Sequence, residues 1–122
     1  LLSNTDNDAG SAAIRDPPNS LITLAGNYDC NLIFVETPKY STITNDSAYL
    51  NAMAEYCSFL ENKQVSYIIS DSTYNQIGID STAYALSYNF EYNNTDYFTD
   101  AFHLSSIGKK HFTQTLLFCL YH

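Results

Sequence analysis

Two short apolar segments constrain the fold more than any other feature of the sequence. Residues 31–36 (Asn-Leu-Ile-Phe-Val-Glu) and residues 65–71 (Val-Ser-Tyr-Ile-Ile-Ser-Asp) are β-rich and nearly continuous in apolar side chains. Such runs are typical of strands covered on both faces, as in a parallel sheet between helices. Between them, residues 47–62 carry one apolar helical stripe, with Asn45 or Asp46 as the N-cap. This order predicts a right-handed βαβ crossover and an α/β fold.

Chain length and the positions of the structure-breaking residues predict a single domain. The 122 residues are 45% hydrophobic and 15% charged, which is ordinary for one globular unit. We expect residues 1–20, which include Pro17 and Pro18 and lack periodicity, to form an irregular arm. Residues 21–122 would then form one α/β domain, beginning with a short helix that ends near residues 26–27.

The second half of the chain is predicted to be a long loop followed by a helix. Residues 73–99 are rich in tyrosine, with one or two helical turns expected around residues 81–88. Ser105 or Ser106 is expected to cap a helix that runs to about Leu120. Its inward-facing side chains would be Ile107, Phe112, Leu116, Cys119 and Leu120.

Net charge, the length of the apolar runs and the cysteine spacing limit the kinds of ligand and partner that the chain is expected to bind. Thirteen acidic residues against five basic ones give a net charge of -8, which disfavours binding to a nucleic-acid backbone. The longest apolar runs fall far short of the roughly 20 residues that span a bilayer. Cys30, Cys57 and Cys119 lack the spacing of a zinc site, so we expect small core side chains and no metal or cofactor.

The residue pattern that points most clearly to chemistry is Asp-Ala-Phe-His-Leu-Ser-Ser-Ile-Gly at residues 100–108. A carboxylate three residues before a histidine can reach the imidazole Nδ1–H in a tight turn. Asp100 would then fix the tautomer of His103 and leave Nε2 free to accept a proton from a nucleophile. His111 is expected to be a surface or partly buried helix residue.

The βαβ unit, the long loop, the Asp-x-x-His-Leu-Ser block and the glycine one helical turn later together resemble the C-terminal half of SGNH hydrolases, the GDSL esterase and lipase family. The resemblance covers roughly residues 21–120. It implies a flavodoxin-like three-layer sandwich, in an incomplete or reduced form. It also implies that His103 is the general base and Asp100 its orienting carboxylate. The substrate would be an ester or an acylated carbohydrate, as for relatives that acylate cell-wall polymers, and the location would be extracytoplasmic or secreted.

The same resemblance requires a serine nucleophile in a Gly-Asp-Ser-like block after the first strand. Ser11, in the glycine-serine step near the start of the chain, is the candidate, although no apolar strand precedes it. The alternatives are a nucleophile in an upstream segment, or a reduced form that has lost the chemistry. The oxyanion-hole residues of the family have no recognisable counterparts here.

Three further features leave alternatives open. Two parallel strands leave a sheet edge exposed, which the N-terminal arm, a hairpin, an upstream segment or a second chain would cover. Glu36 and Asp71 end strands at the edge where ligands gather, yet strand-end acids are usually solvated. The tyrosines of the loop either bind carbohydrate or protein in a non-catalytic module, or pack the loop onto the sheet. They are Tyr74, Tyr84, Tyr88, Tyr92 and Tyr97.

Overall fold

A computed structural model describes residues 10–79 and 83–121, with backbone alone for residues 10–17. The elements in chain order are α1 (Gly10–Asn27), β1 (Ile33–Val35), α2 (Ser41–Thr44), α3 (Ser47–Asn62), β2 (Ser66–Ser70), α4 (Asp71–Gln76), β3 (Ala85–Tyr88), a 3-10 turn (Thr95–Tyr97), β4 (Phe98–Asp100), β5 (His103–Leu104) and α5 (Ser106–Tyr121).

The principal sheet has the strand order β1-β2-β3, and both pairs are parallel. Phe34 lies opposite Tyr67, which lies opposite Ala85 on the other side. The predicted crossover from β1 through α3 to β2 is confirmed, and so is the α/β class. Asp46 caps α3 by accepting a hydrogen bond of 3.0 Å from the Tyr49 amide.

The helical turns expected around residues 81–88 are wrong where the structure describes them. Residues 85–88 form β3, and residues 80–82 lie outside the described part of the chain. The segment becomes a strand because β2 offers it an unpaired edge. Strand formation of this kind depends on a partner distant in sequence, which local periodicity does not report.

The irregular arm expected over residues 1–20 is also wrong from Gly10 onward, because residues 10–20 belong to α1. Residues 1–9 lie outside the described residues. Two prolines inside a helix remove backbone hydrogen bonds, so local propensity opposes this helix. Packing favours it, since Pro18 is fully buried and Ile22 packs against the core. The helix ends at Asn27, as predicted.

Apolar clusters lie on both faces of the sheet. One contains the inner stripe of α3 together with Tyr67 and Ile69 of β2. The other contains Ile68, which lies between Tyr67 and Ile69 in β2, and side chains of α5 pack against it. Since successive side chains of a strand point to opposite faces, α3 and α5 cover different faces. The side chains of α5 in this second cluster are Phe112, Leu116 and Cys119.

Coverage of the second face is incomplete at β1. Ile33 and Val35 retain 45% and 39% of their accessible surface, so the prediction that both faces of this strand are covered is wrong. The reason is that α5 packs on β3, at the opposite edge of the sheet. Ile107 and Leu120, expected to face inward, are likewise exposed, whereas the other three predicted side chains of α5 pack inward.

The three cysteines are free thiols in different surroundings. Cys57 is buried, Cys119 is half-buried and Cys30 is exposed, so the expectation of three core cysteines is wrong for Cys30. Within the described residues, no group of three or more histidine, cysteine or acidic side chains is suited to hold a metal ion. No described helix has the length and apolarity needed to cross a membrane.

We expect thiol reagents to distinguish these cysteines. Burial, with smaller effects from Glu36 and Glu61, raises the pKa of Cys57 to about 12. At pH 8 its thiolate fraction is therefore roughly 10³ lower than that of an ordinary thiol. Iodoacetamide followed by peptide mass spectrometry should label Cys30 first and leave Cys57 unmodified until urea unfolds the protein. Equal labelling rates in the native protein would contradict the buried position.

Candidate active site

Asp100 and His103 face each other across an irregular two-stranded hairpin formed by β4 and β5. Nδ1 of His103 lies 2.8 Å from Oδ1 and 3.0 Å from Oδ2 of Asp100. The backbone amide of Phe102 donates to the same Oδ1 at 2.8 Å. The contact predicted from the Asp-x-x-His spacing is therefore present. With Nδ1–H donated to the carboxylate, Nε2 carries the lone pair that can accept a proton.

The pair is open to solvent and its carboxylate is stabilised as the anion. The hydrogen bond from the Phe102 amide, followed by that from His103, lowers the pKa of Asp100. The side chains of His103 and Asp100 keep 74% and 58% of their accessible surface. Asp100 is thus charged at neutral pH, and the imidazole can be reached by a reactant without any rearrangement.

The hydrogen bonds within this hairpin should weaken in acid. Folding lowers the pKa of Asp100 below its ordinary value of 3.8. The ionised carboxylate therefore makes its full contribution to the free energy of unfolding above pH 3.8. The contribution is lost as the pH falls through the lowered value. An NMR titration should show the Phe102 amide proton shifting with a midpoint below 3.8, and Asp100→Asn should abolish this step. A midpoint above 3.8 would contradict the observed hydrogen bonding.

The turn of the hairpin is attached to the segment that follows β1. The Tyr40 amide donates to the carbonyl oxygen of Ala101 at 3.0 Å. The ring of Tyr40 also meets that of Phe98 edge-on, with centroids 5.5 Å apart. These contacts attach the hairpin of the Asp100–His103 pair to the segment that leaves the carboxyl end of β1. The carboxyl ends of parallel strands form the edge at which α/β proteins usually bind ligands.

The other end of the hairpin is fixed by the start of α5. Ser105 caps this helix as predicted: its Oγ accepts from the Gly108 amide at 3.1 Å and donates to the Asp96 carbonyl at 2.6 Å. The Ser105 amide donates to the Tyr97 carbonyl at 2.9 Å. A Cβ on Gly108 would lie only 2.0 Å from that same carbonyl oxygen. The Ser-x-x-Gly part of the motif therefore serves to pack α5 against the 3-10 turn.

Glu36 is not solvated, which corrects the expectation for this strand-end acid. It is only 9% exposed, and its carboxylate accepts from the Ser70 amide at 2.8 Å and the Thr73 hydroxyl at 2.9 Å. The Tyr49 hydroxyl is a third donor to it. Burial, and then the nearby charge of Glu36, raise the pKa of Tyr49. The only sequence signal for this site was the position of Glu36 at a strand end, because its donors come from other elements.

Asp71 is half-buried and also accepts from side chains. Asn89 donates from Nδ2 at 2.6 Å, and the Tyr92 hydroxyl donates at 2.5 Å. Burial, together with the hydrogen bond to Asp71, raises the pKa of Tyr92. The Tyr88 hydroxyl donates to the backbone carbonyl of Glu36 at 2.6 Å. The two strand-end acids are thus joined to tyrosines that the sequence analysis assigned either to binding or to packing.

The remaining tyrosines of this segment also pack. Tyr74 and Tyr84 contact the cluster on the α3 side of the sheet, and Tyr97 contacts the cluster on the α5 side. His111 is half-buried, as expected, and stacks on Tyr97 with centroids 4.8 Å apart. These contacts assign a packing role to these side chains.

The candidate nucleophile Ser11 is the second residue of α1. Its side chain lies outside the described part of the structure, so its relation to His103 stays a prediction.

Comparisons with protein-family models, curated proteins and solved structures found no match to this chain.

Proposed function

We propose that this protein is an SGNH-type ester hydrolase or O-acyltransferase in which His103 is the general base and Asp100 orients it. The observation that supports this proposal is the hydrogen bond between the Asp100 carboxylate and His103 Nδ1, in a hairpin attached to the carboxyl edge of a parallel sheet. The hairpin is tied to this edge through Tyr40, and it leads directly into the final helix.

In the proposed reaction, Nε2 of His103 accepts the proton of a serine hydroxyl while the serine oxygen attacks the ester carbonyl carbon. The resulting imidazolium donates this proton to the leaving alkoxide, and the ester C–O bond breaks to leave a serine acyl-enzyme. Water or a sugar hydroxyl then attacks the acyl carbon, and His103 accepts and returns a proton again. The Asp100 carboxylate stabilises the imidazolium in both halves of the cycle.

The direct test is labelling with a fluorophosphonate, which modifies activated serines. We expect one serine of the full-length protein to be labelled, and peptide mass spectrometry to show whether it is Ser11. His103→Ala should suppress the labelling. A wild-type protein that acquires no label, or a variant that labels as fast as wild type, would overturn the proposed mechanism.

The second function considered from the sequence, a non-catalytic module that binds carbohydrate or protein through its tyrosines, stays a prediction. The fold uses several of these rings internally: Tyr88 is 3% exposed and the Tyr92 hydroxyl is bound to Asp71. Because they are already engaged, acyl transfer at His103 is the better-supported proposal.

A further inference from the structure

The geometry points to Glu36 as the positioning residue that holds the His103 hairpin against the carboxyl edge of the sheet. This inference rests on the proposed function for its catalytic meaning. Its structural part, the coupling between the Glu36 carboxylate and the hairpin, stands on hydrogen bonds that can be measured without turnover.

Glu36 joins the elements that meet at this edge. Its amide extends the β1–β2 ladder by donating to the Ile68 carbonyl at 2.8 Å. Its carboxylate accepts from Ser70 at the end of β2, from Thr73 in α4 and from Tyr49 in the first turn of α3. Tyr88 at the end of β3 donates to its carbonyl. One side chain and its own backbone thus fix the ends of all three parallel strands.

The coupling to the hairpin runs through the four residues after Glu36. Pro38 is fully buried, and Tyr40 donates its amide to the Ala101 carbonyl. The next amide, that of Ser41, donates to the Tyr92 carbonyl at 2.9 Å. Since Ala101 lies between Asp100 and His103 in the turn, a shift of the segment after Glu36 moves the pair relative to the sheet.

A carboxylate is required at position 36 because both of its oxygens accept. Oε1 accepts from the Ser70 amide, while Oε2 accepts from the hydroxyls of Thr73 and Tyr49. Glutamine has the same shape but only one acceptor oxygen. With that oxygen facing the Ser70 amide, its N–H₂ group would donate to the Thr73 and Tyr49 hydroxyls, whose own protons would lose Glu36 as their acceptor. Each buried donor left without an acceptor is costly. Glu36→Gln therefore loosens the junction while keeping its volume.

We would measure amide hydrogen exchange by NMR in the full-length protein carrying Glu36→Gln. The amides of Tyr40 and Ser41 should exchange at least tenfold faster than in wild type, while those in the middle of α5 change less than twofold. Glu61→Gln is the matched control, because Glu61 accepts from the Tyr67 hydroxyl at 2.7 Å, away from the hairpin. That variant should leave the exchange of Tyr40 unchanged.

A uniform acceleration across Tyr40 and α5 would mean general destabilisation and would overturn the inference. If Glu36→Gln does not fold, Thr73→Val removes one donor, keeps the carboxylate and should accelerate the same two amides. In labelling kinetics, Glu36→Gln should lower the maximal rate of fluorophosphonate labelling about tenfold and leave the half-saturating concentration unchanged. An unchanged maximal rate would show that Glu36 does not position His103 for the proposed reaction. Wild-type protein that takes no label would overturn the proposed function, whereas the exchange rates still decide the coupling.

Discussion

Replacing Gly108 with alanine is expected to destabilise the protein by about 3 kcal/mol, at the upper end of the usual cost of overpacking. The new methyl group would meet the backbone carbonyl of Tyr97 at 2.0 Å, which no side-chain rotation can relieve. Either α5 or the 3-10 turn must move, and the Ser105 hydrogen bonds that join them must then break. For a domain of this size, the thermal midpoint should fall by roughly 10 °C.

Gly26→Ala provides the matched control. This glycine is also helical, and nothing lies within 4 Å of where its Cβ would be. Alanine should therefore stabilise α1 by about 0.5 kcal/mol, because it loses less backbone entropy. The two substitutions add the same methyl group, so calorimetry of both separates steric conflict from helix propensity. A Gly108→Ala protein as stable as wild type would refute the close packing of α5 against Tyr97.

The second large effect is expected on activity. His103→Ala should lower kcat/KM for an oxygen ester by about 10²–10⁴-fold, the range of a lost general base. Stability should change by no more than about 0.5 kcal/mol, because the side chain is 74% exposed. Stopped-flow or steady-state hydrolysis, paired with thermal unfolding, measures both quantities on the same protein.

Asp100→Asn tests the orienting role within the same experiment. The amide keeps the shape of the carboxylate but no longer favours the Nδ1–H tautomer or the imidazolium, so activity should fall by about 10²-fold or more. Asp96→Asn is the control, since it removes an exposed negative charge four residues earlier in the chain. If both variants lose activity equally, the loss would reflect general charge and not the contact with His103.

The parts of the fold that could be predicted from sequence are those determined by nearby residues. The α3 stripe, its Asp46 cap and the two flanking strands follow from periodicity and local capping. The Asp100–His103 contact is equally local, because its partners are three positions apart in the chain. The sequence therefore predicted both the crossover and the pair of side chains at the candidate site.

The features that were missed depend on distant partners. Residues 85–88 become a strand because β2 has a free edge, and α1 tolerates its prolines because Pro18 is buried. The burial of Glu36 requires donors from α3, α4 and the end of β2. Such sites require the fold to be known first, since none of the donors stands beside Glu36 in the chain.

Residues 100–108 contain an exposed pair and a packing pair, and this difference has an evolutionary consequence. Asp100 and His103 are exposed and contribute little to packing, whereas Ser105 and Gly108 fasten α5 to the body of the protein. In a lineage that abandoned the proposed acyl-transfer chemistry, purifying selection would relax on the first pair and persist on the second. Descendants that keep Ser-x-x-Gly but vary at the aspartate and histidine would thus mark a scaffold retained after the proposed catalytic role had ended.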